Sequence, residues 1–61
     1  MNKTEAREVT KLGLYIDHGM RDTAARALSA LIRASRTQAS RNALMQQAAT
    51  WGLIGEPDFV V

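Results

Sequence analysis

The chain has 61 residues, no cysteine, one histidine, one proline and a formal charge of +2. So short a chain forms one small domain over 1–61, and the lack of cysteine excludes disulfides and Cys-bearing zinc clusters. A core of this size supplies only about 3–5 kcal/mol, so self-association or a partner is the expected source of further stability.

Hydrophobic residues make up 46% of the chain, but ten of them are alanine, leaving eighteen larger apolar side chains. Alanine contributes little buried area, although it lets helices approach closely. Residues 1–50 carry eight Lys or Arg against four acids, and the last eleven residues carry only Glu56 and Asp58. Glu5, Arg7, Glu8 and Lys11 interrupt any apolar leader. No run approaches the roughly 20 apolar residues of a membrane span. A soluble, cytoplasmic chain is expected.

Thr4 is a suitable N-cap for a first helix over about 4–18, with Glu5 meeting the dipole of its first turn. Val9, Leu12, Gly13, Ile16 and Met20 then recur at helical spacing, flanked by Leu14 and Tyr15. Gly19 is a stop signal, with His18 near the C-terminal end. Asp22 or Thr23 caps a second helix over about 23–35. Its apolar face is Ala24, Ala25, Leu28, Leu31, Ile32 and Ser35, and its polar face is Arg26, Ser29, Arg33 and Arg36. The short link predicts an antiparallel hairpin. Tyr15, Gly19, Ala24 and Leu28 stand at the spacing of a tetratricopeptide-type hairpin. The segment resembles one over seventeen residues, without the repeat's first-helix Trp or final Pro and without a second copy. The resemblance implies hairpin packing, with Gly19 at the turn and Ala24 at the helix contact.

The apolar face then shifts, and Ser35, Thr37 and Ser40 cluster at the changeover. This predicts a break near 35–37 and a third helix over about 38–51 capped by Thr37. Gly52, Gly55 and Pro57 end it in an extended tail, 52–61. The expected fold is all-α: an antiparallel hairpin plus a third helix, with the extended C-terminal tail packed on it.

No catalytic residue is assigned. His18 has no partner on its helix face, since Asp17 points about 100° away. No cysteine is present, and Ser29, Ser35 and Ser40 lack a base. No phosphate loop or metal spacing occurs, so neither cofactor nor metal is expected. The five basic residues from 21 to 41 are all Arg, opposed only by Asp22. Arg26, Arg33, Arg36 and Arg41 form a candidate polar contact face for phosphates, carboxylates or an acidic protein. Thr37 to Leu44 resembles the start of a helix-turn-helix recognition helix, with Thr, Gln, Ser, Arg and Asn side chains able to read base edges. Ala24, Leu28, Leu31 and Ile32 are the candidate core or self-association face. Trp51, Phe59, Val60 and Val61 are candidate tail contacts, either folded back on the helices or offered to a partner. The reading is a small non-catalytic interaction or regulatory protein, self-associating and binding another macromolecule through the Arg face or the tail. The alternative is a small DNA-binding regulator using the third helix and the arginines.

Overall fold

A computed structural model describes all 61 residues. Three helices, α1 (Lys3–Asp17), α2 (Arg21–Ala34) and α3 (Gln38–Thr50), are followed by a tail, with no strands. The second helix packs against both others and measures out a body of 29 × 21 × 16 Å.

Local chemistry sets the helix ends. The first helix starts one residue before the predicted Thr4 position and is capped by Asn2. The Asn2 side chain accepts from the Glu5 N–H at 2.8 Å, and the Glu5 carboxylate accepts from the Asn2 N–H at 2.8 Å. This reciprocal capping box satisfies two donors at once, which Thr4 inside the turn could not do. At the other end the Met20 N–H donates to Tyr15 O (2.8 Å) and the Gly19 N–H to Ile16 O (3.1 Å). Gly19, at φ +75°, supplies the left-handed residue this Schellman closure requires. The tight closure also displaces the predicted cap of α2. The helix begins at Arg21, its N-cap Met20 makes no side-chain cap bond, and Asp22 and Thr23 lie in the first turn.

The break falls at 35–37, where Ser35 is extended and the Thr37 hydroxyl accepts from the Ser40 N–H at 3.1 Å. The third helix stops at Thr50 through a second Schellman closure. Leu53 N–H donates to Ala48 O (2.9 Å) and Gly52 N–H to Ala49 O (3.0 Å), with Gly52 at φ +69°. The tail is not extended as predicted. It turns again at 54–55 and 57–58, with the Glu56 N–H on Leu53 O and the Phe59 N–H on Glu56 O. These turns return the chain to α2, and only Phe59–Val61 runs on without a turn.

The core is Leu12, Ala24, Ala25, Leu28, Ile32, Leu44, Ala48 and Leu53, with Val9, Tyr15, Ile16, Trp51 and Phe59 packed around it. Ala24, Leu28 and Ile32, three of the four residues of the candidate self-association face, are thus inside the single chain. The accessible surface is 3953 Å². A folded monomer of this mass exposes about 3,900 Å². One chain is therefore as compact as monomers of its size.

Candidate functional site

The arginines and the tail, read from the sequence as two separate surfaces, meet each other. Ser29, placed on the polar face of the second helix, is only 1% exposed. Its hydroxyl donates to Ala25 O at 2.6 Å and accepts from the Val60 N–H at 2.9 Å. On either side, Arg33 donates to Val60 O and Arg26 pairs with Asp58 at 3.2 Å. A cleft of about 270 Å³ between α2 and the tail is lined by Arg26, Ser29, Arg33, Pro57, Asp58 and Val60.

Two more arginines cap helix ends. Arg21 donates to Trp51 O (2.9 Å) and Gly52 O (2.8 Å) and pairs with Glu56 at 3.3 Å, closing the last turn of α3 onto the start of α2. Arg41 donates to Ser35 O at 3.0 Å and to Gln38 Oε1 at 3.2 Å. Both use the guanidinium fork on carbonyl oxygens left open where a helix stops. Of the five arginines between 21 and 41, Arg36 alone makes no hydrogen bond or ion pair. The four candidate contact arginines therefore do not form one free face. Arg26 and Arg33 hold the tail, Arg41 caps a helix, and Arg36 is open.

Of the candidate tail contacts, Trp51 and Phe59 are half-buried against the core. The Trp51 ring lies 3.6 Å from the point where a Cβ on Gly13 would stand. Val60 and Val61 are 62% and 58% exposed, although the Val60 backbone is held.

Glu5 is 6% exposed, and its carboxylate accepts from the Ser40 hydroxyl at 2.9 Å and the Ser35 hydroxyl at 3.0 Å as well as from Asn2. It joins the start of α1, the end of α2 and the start of α3. The Asn2 N–H and then the Ser40 hydroxyl lower its pKa against the opposing effect of burial, with Ser35 and the chain's N-terminal charge adding to them. Sequence reasoning gave Glu5 only a dipole role. The spacing Asn2-x-x-Glu5 is a capping-box signal that could have placed it.

The one apolar concavity lies between α1 and α2. This groove of about 440 Å³ is lined by Thr4, Glu8 and Leu12 from one helix and Ala27, Ala30, Leu31 and Ala34 from the other. Leu31 is the member of the predicted self-association face that reaches it. The neighbouring alanines were missed because a short side chain carries little weight in a hydrophobic pattern. Asp, Glu and His side chains form no cluster of three or more. No helix is long and apolar enough to cross a membrane.

No family model, curated protein or solved structure matches this chain.

Proposed function

We propose that this chain is a small non-catalytic interaction protein of regulatory type that self-associates through the groove between α1 and α2. The observation that carries the reading is the groove itself. It is lined by five apolar residues and left uncovered, while the tail occupies the opposite flank of α2.

Three physical arguments favour a second copy as its occupant. Ala27, Ala30 and Ala34 give the flank of α2 no bulk, so another helix can approach closely. Glu8 and Lys11, one turn apart on α1, have no partner in the single chain. A two-fold contact would set Glu8 of one copy against Lys11 of the other, and such self-complementarity is what an isologous interface needs. A standard interface covers about 800 Å² per partner. That is about a fifth of the 3953 Å² this chain exposes, within reach of one hairpin face.

Because one chain already has the surface of a compact monomer, the association is reversible and joins folded subunits.

The test is a dilution series on isotope-labelled protein followed by amide chemical shifts. Shifts confined to Glu8, Ala27, Ala30, Leu31 and Ala34 that disappear on dilution are expected. Concentration-independent shifts throughout would refute the groove as a self-association surface.

A further inference from the structure

Charge is divided unevenly between the two ends of the bundle. The hydrogen bonds of Glu5 to Ser35 and Ser40 gather the start of α1, the end of α2 and the start of α3 at one end. Those segments carry five cations, Lys3, Arg7, Arg33, Arg36 and Arg41, against two acids, Glu5 and Glu8. Glu5 is buried and held in its charged form by the Asn2 N–H and the Ser35 and Ser40 hydroxyls, so it still counts against the cations, and five cations less two acids leave this end a side-chain charge of +3. The opposite end holds four acids, Asp17, Asp22, Glu56 and Asp58, against two cations, Arg21 and Arg26, which pair with three of them. Between Asp22 and Glu56 the sequence contains no acid at all.

Two further observations bear on what the basic end takes. Lys3 and Arg36 are exposed there, and neither makes an ion pair or side-chain hydrogen bond within the chain. α1 and α3 begin at this end and α2 finishes there, so the positive ends of two helix dipoles are offset by the negative end of one and leave a net positive contribution. Polar side chains lie among the cations, with Gln38 and Asn42 bonded to each other at 2.7 Å, and the exposed apolar residues near them are Met1, two positions before Lys3, and Val60, whose carbonyl Arg33 binds. Tyr15, Trp51 and Phe59 all pack against the core, which leaves no aromatic anchor for a bilayer.

We propose that this end binds the phosphodiester backbone of nucleic acid, with Lys3 and Arg36 as direct phosphate contacts and Arg7 and Arg41 adding to the field. Arg41 is already oriented by the Ser35 carbonyl, so its contribution is positional as well as electrostatic. The inference does not depend on the groove. It concerns a different surface and holds for a monomer or a dimer.

The experiment titrates a short fluorescent DNA duplex with the full chain between about 50 and 200 mM salt, the range over which phosphate contacts lose most of their affinity. Binding at low salt that falls steeply as salt rises is expected. In the double variant Lys3→Gln/Arg36→Gln the slope of log affinity against log salt should shrink by about 2. Both positions are exposed and unpaired, so the variant should keep the wild-type circular dichroism spectrum. Arg26→Gln, at the acidic end, should leave the slope unchanged. Absence of binding at low salt would overturn the proposal. So would an equal loss of slope in Arg26→Gln, or tighter binding to vesicles of anionic phospholipid than to DNA.

Discussion

Glu5 holds four donors and acceptors of three different segments in one buried cluster, and this gives the fold a defined response to acid. The carboxylate is stabilised in its charged form by the Asn2 N–H and the two serine hydroxyls, so its folded pKa lies below its ordinary value. A group depressed in this way stabilises the fold above its unfolded pKa, about 4.3 for glutamate. That contribution is lost as pH falls from there through the lower folded value. Thermal unfolding followed by circular dichroism should therefore show the wild-type midpoint falling in that acid window. Glu5→Gln should be less stable at neutral pH and nearly flat through the same window. A wild-type midpoint that is flat there would contradict the account. Gly13 provides a second, opposite test. It lies inside α1, and an added methyl would meet Trp51 at 3.6 Å, an ordinary contact. Gly13→Ala should stabilise the protein by about 0.5–1 kcal/mol, read as a raised unfolding midpoint. The role of Glu5 was only half legible in the sequence. The capping spacing was visible, but its bonds to Ser35 and Ser40 span 30 and 35 residues, and nothing local encodes them.

The helices follow from periodicity and punctuation. Gly19 and Gly52 stop two of them, Thr37 starts the third, and the break at 35–37 falls where the apolar face changes side. The tail was less legible. A face carrying Arg26, Ser29 and Arg33 reads as solvated, and only the acids Glu56 and Asp58, placed opposite a run of arginines, hint that the chain returns to it. Proline at 57 favours an extended finish on sequence grounds, yet Pro also suits the second position of a turn, and here it takes that role. Exposed ion pairs contribute about 0–1 kcal/mol each, so Arg26–Asp58 orients the tail more than it secures it. The anchor is Leu53, fully buried one residue after the glycine that stops α3. Urea unfolding should show Leu53→Ala losing about 2–5 kcal/mol, as large-to-small core changes do. Asp58→Ala should lose less than about 1 kcal/mol. Equal losses would mean that the tail is held by its polar strap instead.

Taken together, the parts give a molecule with three distinct flanks. One side of α2 is closed by the tail, the other is an open alanine-lined groove, and one end of the bundle carries a net positive charge. The sequence showed that the chain was short of large apolar residues and rich in arginine. It did not show how these were divided. Ala24, Leu28 and Ile32 went to the interior, and four of the five arginines from 21 to 41 went to holding the chain together. What remains open for a partner is a smaller and different set of residues from the one composition suggested. The central claim is that the groove joins two folded copies, and molar mass in solution tests it most directly. Light scattering on a sizing column at physiological salt should give a mass that climbs from one chain towards two as concentration rises. Ala30→Glu, which puts a charge into the groove at an exposed position, should stay at one chain throughout while keeping its helical spectrum. A wild-type mass fixed at a single chain at every concentration, or a dimer untouched by Ala30→Glu, would contradict the account.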